Sequence, residues 1–392
     1  MSADRTTTMT LEIGGEEIPG LTSFSYTSDV RQLGDPFSVE IPDPRRKWGT
    51  VVTKGALVKL YMSNPDVNNG AKTLKLTGRV RNVKQRSSNG QGRTLLVSGA
   101  DLGWHLTKSS GPLWYNLQRH TYKELLEKVI DSSWGFRGDP RTENWTNRRL
   151  KLGRPQAALQ IQNNAVKPIQ YLGIGPGETV AQVLISVMRY EGLLTNVSAD
   201  GRLQAFTPDY RQAPLYKIEY HDREYERSLA AYNVVQEVEV ESDADPLFTH
   251  VDCLWSVLWQ DPTKVSPNDP HPGQYHNQAI DTSLLPFYAP QTFQDGDQLK
   301  PEQGRRRANW KLKQNQYEAW TYRCKVRGHH QRGVWWEADT MCTIDDTVNI
   351  DDKTGKTIQG NFYLASVQCS RTMTEGDVTY LTLKRPNLLS AT

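Results

Sequence analysis

Phe37-Ser-Val-Glu-Ile41 sets the reading of the chain, with three apolar side chains on one parity and two polar ones on the other. Successive strand side chains point to opposite faces, so this alternation describes a strand with one face in a core and one in water. The pattern recurs downstream. Val58, Leu60 and Met62 alternate with Lys59, and Leu74, Leu76 and Val80 share a parity opposite Lys75, Thr77 and Arg79. Ser88-Asn-Gly90, ahead of Thr94-Leu-Leu-Val-Ser98, supplies an Asn-Gly pair, which readily takes the positive φ of a tight hairpin. Short strands spaced by roughly ten residues across 1–106 predict a small barrel or sandwich.

The period changes after Gly111-Pro112. Tyr122, Leu125, Leu126, Val129 and Ile130 fall at helical spacing, opened by Thr121 with Glu124 three positions on, a capping box that satisfies orphan amides. A second amphipathic helix runs from Val180 through Val183, Leu184, Val187 and Met188, with Thr179 and Gln182 as its capping box and Gly192 as its C′ glycine. Leu193 to Val197, the Asp200-Gly201 turn and Arg202 to Phe206 read as a hairpin, so 107–212 forms an α+β unit.

Period two returns in 213–392. Val234, Val238 and Val240 share a parity, as do Trp320, Tyr322, Cys324 and Val326; Phe362 to Cys369 and Val378 to Leu383 flank a turn at Thr374-Glu-Gly-Asp377. Between these halves, about 260–314, lies a stretch rich in Pro, Asp and Gln, which we read as a long insertion docking on a neighbour.

Composition bounds the rest. The 392 residues allow two to four compact units at the usual ~100 to 200 residues each. A mean hydropathy of -0.65 is low for one large globule, while 11 Trp, 17 Tyr and 8 Phe are too many for a disordered chain, which suggests small domains partly covered by copies of themselves. Cys253, Cys324, Cys342 and Cys369 form no CxxC pair, so a reducing compartment and no structural zinc are expected. No apolar run has the ~18 residues of a membrane span and the N-terminal residues lack a signal-peptide pattern, so neither membrane insertion nor secretion by that route is expected. The formal charge of +3 is uneven: Lys300 to Arg332 holds ten basic residues against Glu302 and Glu318, a local excess that excludes a globally basic nucleic-acid binder but leaves a basic belt.

Few residues suggest chemistry. Gly173-Ile-Gly-Pro-Gly177 before the second helix lacks the following βαβ pattern of a phosphate site, and Pro176 removes an amide, so it reads as a helix-entry loop. Asp345, Asp346, Asp351 and Asp352 miss the alternating ligand pattern of a calcium loop; Asp351-Asp-Lys-Thr-Gly355 reads as a polar hairpin turn. His329 and His330 near Cys324 and Cys342 fit a metal cluster less well than a core in which the cysteines act as small hydrophobes. There is no Gly-x-Ser-x-Gly elbow and no His-Glu-x-x-His, so no residue is assigned to catalysis and no cofactor is expected. Trp114, Trp134, Trp145, Trp255, Trp259, Trp310, Trp320, Trp335 and Trp336 suit cores and subunit interfaces, with sugar platforms as the alternative. Arg305, Arg306, Arg307, Lys311 and Lys313 form the candidate site, a belt facing phosphates or an acidic neighbour.

Several strings occur in a telling order: Leu11-Glu-Ile-Gly-Gly15, Gly20-Leu-Thr-Ser-Phe24, Leu76-Thr-Gly-Arg-Val80 and Val97-Ser-Gly-Ala-Asp-Leu102; then Pro176-Gly-Glu-Thr-Val180 and Asp200-Gly-Arg-Leu203; then Val326-Arg-Gly-His329, Trp336-Glu-Ala-Asp339, Phe362-Tyr-Leu-Ala-Ser-Val367 and Gly376-Asp-Val-Thr-Tyr-Leu-Thr-Leu383. In this order the chain resembles the central baseplate hub proteins of contractile-tailed phages, of the phage Mu hub and late-control protein D type. The resemblance implies a mainly β fold in which two small β-barrels of tail-tube type, 1–106 and 213–392, flank an α+β connector at 107–212. It further implies a non-enzymatic homotrimer in the virion tail baseplate, made in the host cytoplasm. Its barrels would alternate in a pseudo-sixfold ring that joins a hexameric tail tube protein to a trimeric central spike protein. Other baseplate proteins, the tape-measure protein and DNA in transit through the channel are the remaining implied partners. The 260–314 insertion has no counterpart in the family pattern. A glycan-binding or peptidoglycan-degrading tail protein is the alternative, motivated by the tryptophans and paired aspartates; a nucleic-acid module built on the belt is a third.

Overall fold

The computed structural model describes residues 7–45, 47–88, 92–108, 151–152, 178–190, 193–221, 235–256, 274–295 and 301–389. The first region contains β1 (Thr8–Ile13), β2 (Glu16–Ile18), β3 (Ser23–Asp29), β4 (Pro36–Pro42), β5 (Leu57–Ser63), β6 (Thr73–Ser88), β7 (Gly92–Asp101) and the short helix α1 (Trp104–Lys108). The middle contains β8 (Lys151–Leu152), α2 (Val180–Tyr190), β9 (Leu194–Val197) and β10 (Arg202–Phe206). The last region contains β11 (Tyr216–Tyr220), β12 (Val235–Ser242), β13 (His250–Ser256), β14 (Gln274–Ile280), β15 (Pro290–Asp295), α3 (Pro301–Ala319), β16 (Trp320–Arg327), β17 (His330–Gln331), β18 (Val334–Trp335), β19 (Thr340–Ile350), β20 (Thr357–Thr372) and β21 (Gly376–Lys384).

Strand alternation builds the sheets as the sequence predicts. Phe37, Val39 and Ile41 of β4 and Val58, Leu60 and Met62 of β5 are buried, as are Trp320, Tyr322, Cys324 and Val326 of β16. Each fully buried aliphatic side chain contributes about 1.5 to 3 kcal/mol. The Thr179 and Gln182 box opens α2: the Thr179 amide donates to Gln182 Oε1 at 2.8 Å and the Gln182 amide to Thr179 Oγ1 at 3.2 Å. The predicted hairpin forms from β9 and β10, with Gly201 at φ +80 in its turn. The helix expected around Tyr122 to Ile130 and the glycine loop 173–177 lie outside the described residues.

The first and last regions repeat one topology. The first sheet runs β3-β4-β7-β6-β5-β1 and the last β12-β16-β21-β20-β19-β11. With the six strands of each numbered along the chain, both read 2-3-6-5-4-1. The match extends to single residues. β6 and β20 each have 16 residues, with Thr73 and Thr357 set 284 positions apart. The same offset carries Leu57↔Arg79 onto Met341↔Tyr363, and Ser88↔Gly92 onto Thr372↔Gly376. It also carries the bulge between Val80 and Asn82 onto the bulge between Leu364 and Ser366. One edge differs, since β1 meets β5 antiparallel whereas β11 meets β19 parallel.

Among the described residues the two sheets are not closed as the pair of barrels that the resemblance implies. β3 is the strand whose free edge would have to return to its own sheet for closure, and β20 occupies that edge instead, from Ser366↔Asp29 to Arg371↔Phe24. The strands of the first and last regions therefore join in one continuous 13-stranded sheet, and among the described residues no sheet closes on itself. One apolar cluster, reaching from Leu11 and Leu60 to Trp336 and Leu383, follows it across the seam.

Between β12 and β16, where the first region has only a turn joining β3 to β4, a separate unit is inserted. β13 pairs with β14 antiparallel and β15 parallel, and α3 lays Ala308 and Leu312 over Val251, Cys253 and Ala279. Pro301 opens α3 at a position that spends no needed amide. A second junction gathers Leu194 and Phe206 of the middle hairpin, Tyr317 of α3 and Tyr363 of β20 into one cluster.

Candidate functional site

At the seam between the two sheets polar groups are buried together, on strands that each sheet alone would leave exposed. Phe24 and Tyr26 of β3 face Arg371 and Cys369 of β20 across the antiparallel register. Beneath them His329 is fully buried. Thr379 donates its hydroxyl to Gly328 O at 2.7 Å, so the His329 Nδ1 hydrogen is directed at Thr379 Oγ1, 2.9 Å away. His329 Nε2 lies 3.5 Å from Asp377 Oδ1. Asp377 in turn accepts from Arg371 at 2.5 and 2.6 Å and from the Thr7 amide at 3.0 Å. Burial works against the charge on Asp377, but His329 and Arg371 outweigh it and hold the carboxyl well below its usual range. Burial likewise opposes the imidazolium, yet Cys369 and Asp377 push His329 up to about 9. These groups are placed by the β20–β21 hairpin and the His329 loop, and together they lock the chain's first strand to its last hairpin.

A second polar knot sits at the start of α1. The Asp35 amide donates to Asp101 Oδ2 at 3.1 Å, the Gly103 amide to Asp101 Oδ1 at 2.7 Å, and the Asp29 amide to Asp35 at 3.2 Å. Burial pushes Asp101 up to about 7 against the pull of the backbone amides of Asp35, Gly103, Trp104 and Gly34, and Asp35 is raised by burial and by Asp101. A shallow cleft beside it is lined by Ser25, Thr27, Phe37, Arg81, Trp104 and Gln368, residues from both sheets. Arg81 and Lys108 lie over the Trp104 ring at 4.8 and 4.7 Å, which makes this cleft basic.

The predicted belt residues all fall on α3, yet they part company there. Arg305 and Arg306 are exposed, Arg307 is 8 % exposed against the inserted sheet, and Lys311 and Lys313 are half-buried. Burial lowers Lys313. Only the first two are freely offered to a partner, so the five do not form one continuous face. The paired aspartates are spent internally: Asp346 accepts from Tyr322 and from the Val348 and Asn349 amides, while Asp351 accepts from the Lys353 amide and from Arg385. Trp320, Trp335 and Trp336 are buried and present no sugar-stacking face, whereas Trp114, Trp134, Trp145 and Trp259 lie outside the described residues. All four cysteines are buried thiols. Among the described residues the one trio near enough to share an ion is Glu219, His221 and Asp345, and Lys217 already pairs with Glu219.

Two charged strand edges escape notice in the sequence. β12 carries Glu237, Glu239 and Glu241 on one parity, and β6 carries Arg81, Lys84 and Arg86 along its far half. The signal was present in the alternation Val-Gln-Glu-Val-Glu-Val-Glu-Ser of 235–242, which reads simply as a half-buried strand until its neighbours are known.

No protein-family model and no curated protein matches the sequence. Solved structures do. A tail protein from Neisseria meningitidis MC58 superposes with a TM-score of 0.72 at 20% identity over 98% of both chains. The 43 kDa tail protein of prophage MuSo2 from Shewanella oneidensis gives 0.69 at 16% identity, over 98% of this chain and 99% of that one. The E. coli c3393 protein, a component of the type VI secretion system with structural similarity to T4 bacteriophage tail proteins gp27 and gp5, gives 0.54 at 8% identity, over 97% of this chain and 78% of its own. The chain thus has a mainly β fold shared, end to end, with phage tail proteins.

Proposed function

We propose that the chain is a structural, non-enzymatic protein of a phage tail, and more narrowly the central hub of the baseplate. The observation that carries this reading is the duplicated sheet. A hexameric tail tube presents six equivalent surfaces and a trimeric spike presents three. A protein with two equivalent sheets per chain meets both when three copies surround an axis, because three chains then offer six sheet modules. The end-to-end likeness to two tail proteins supports the same setting in the virion. In this reading the modules within 1–106 and 213–392 face the tail tube protein, 107–212 connects them, and the central spike protein, other baseplate proteins, the tape-measure protein and DNA in transit are the partners. The inserted unit, with Arg305 and Arg306 exposed on α3, faces an acidic neighbour.

Sizing with light scattering tests it: three chains per particle are expected across micromolar concentrations, and electron microscopy of the particle should give a ring of threefold or pseudo-sixfold outline. A strictly monomeric or dimeric mass overturns the trimer.

A further inference from the structure

The repeated topology leaves one contact made and its counterpart open. Within the chain, strand 5 of the last sheet (β20) pairs with strand 2 of the first (β3). It does so along residues 366–371, the part of β20 that extends past the end of β19, whose pairing stops at Leu364. Strand 5 of the first sheet, β6, has the same extension. Its pairing with β5 stops at Arg79, while β7 covers its other side as far as Ser88. From Arg81 to Ser88 the β5 side of β6 has no strand partner among the described residues. Strand 2 of the last sheet, β12, pairs only with β16 and leaves its second edge open among the described residues. Two unpaired edges of this kind invite a strand from another chain.

We infer that β12 of one copy pairs antiparallel with residues 82–87 of β6 in a second copy, reproducing between chains the seam that β3 and β20 form within one. This rests on the reading of the chain as a ring-forming hub and assigns the residues that join its copies. The register follows from equivalence alone. Val238 and Val240 oppose Cys324 and Tyr322 as Phe24 and Tyr26 oppose Val39 and Phe37, so β12 superposes on β3 with Val238 at Phe24 and Val240 at Tyr26. Within the seam Ser25 opposes Ser370 and Thr27 opposes Gln368. Shifting β20 back by 284 positions then sets Glu239 opposite Arg86 and Glu241 opposite Lys84.

Charge enters nowhere in that derivation, yet it matches. The edge of β6 is basic at both positions and the edge of β12 acidic at both, and all four residues are exposed in the single chain. Opposite charges directly across strands stabilise pairing and like charges oppose it. The same charges also discourage the two self-pairings, β6 with β6 and β12 with β12, so a head-to-tail contact is selected over a twofold one. Glu239 and Glu241 already reach Arg323 of β16 at 3.5 and 2.8 Å, which holds them on the face that a second chain would meet.

Carbodiimide, which joins an amine to a carboxylate in direct contact, tests the contact on the unmodified protein. In particles assembled from a mixture of isotopically light and heavy chains, Lys84 to Glu241 cross-links should include light–heavy pairs, which no link within one chain can give. The Lys84→Glu/Arg86→Glu variant alters exposed side chains only and should keep the wild-type circular dichroism while weakening association at least tenfold by light scattering. Adding Glu239→Lys/Glu241→Lys should restore assembly. If the wild type is trimeric but the double variant assembles unchanged and no mixed-isotope cross-link forms, this interface is wrong while the hub reading stands. A wild type that stays monomeric overturns both.

Discussion

Arg371 grips Asp377 with two hydrogen bonds, of 2.5 and 2.6 Å, across the turn that joins β20 to β21, with the fully buried His329 ring beside the same carboxylate. The histidine therefore carries charge in the folded state at a pH where an exposed one would have lost it. Its folded value of about 9 lies above its ordinary 6.5, so the stabilisation is complete below about pH 6.5 and lost as pH rises through 9. The melting temperature should fall over that window, and the fall should flatten in His329→Gln.

Asp377→Asn removes one partner of this buried arrangement and leaves the imidazolium without its counter-charge. A loss of about 3 kcal/mol is expected in urea unfolding. Because the folded Asp377 value is depressed, its contribution is present above the ordinary carboxyl range and disappears as pH falls below it. Wild type and variant should therefore converge in acid.

Asp101 behaves in the opposite sense. Its folded value near 7 lies above the ordinary 3.8, so the folded state binds the extra proton between those limits and stability from this group declines as pH rises across them. Asp101→Asn should show a shallower slope of unfolding free energy between pH 4 and 7. A variant with the wild-type slope would locate the proton elsewhere.

Gly99 lets β7 approach β6 beside the bulge. A Cβ there would lie 2.2 Å from Arg79 O and 2.4 Å from the Phe37 ring. Gly99→Ala should cost about 1 to 3 kcal/mol through overpacking. At Gly14 the φ is +62 and no atom lies within 4 Å, so Gly14→Ala should cost only the backbone strain, about 1 to 2 kcal/mol. Hydrogen exchange separates the two if only Gly99→Ala lowers amide protection in β4 and β7 around Phe37.

On α3, Arg305→Ala/Arg306→Ala should leave thermal stability within about 0.5 kcal/mol of wild type, since both side chains are exposed. Arg307→Ala should destabilise measurably, because its stem is buried between α3 and the inserted sheet. Equal losses from all three would mean that the helix packs differently.

Much of this fold was legible in local pattern. The parity of Phe37, Val39 and Ile41, the hairpin at Gly201 and the capping box at Thr179 each depend on neighbours in sequence, and each is found. The seam was not legible, because nothing in Phe24 or Cys369 encodes a partner more than 300 positions away. The duplication follows from the family resemblance, not from the residues compared one by one. Equivalent positions such as Val58 and Cys342, or Leu60 and Ile344, share only apolar character. Helix α3 was concealed by composition, since the side chains it buries include the polar Arg307, Gln314 and Asn315 beside Ala308, Leu312 and Tyr317, so it lacks a wide apolar stripe. Adjacency in sequence makes Arg305, Arg306 and Arg307 look like one surface, whereas a helix turns each by about 100° from the last.

The pairing of β3 with β20 also has a mechanical meaning. Six consecutive residue pairs tie the two sheets, and a pull along the strands must break their hydrogen bonds all at once instead of one after another. Tension applied to one sheet therefore reaches the other directly through this six-pair splice. A chain so spliced transmits a tug from one end of the molecule to the other with little loss.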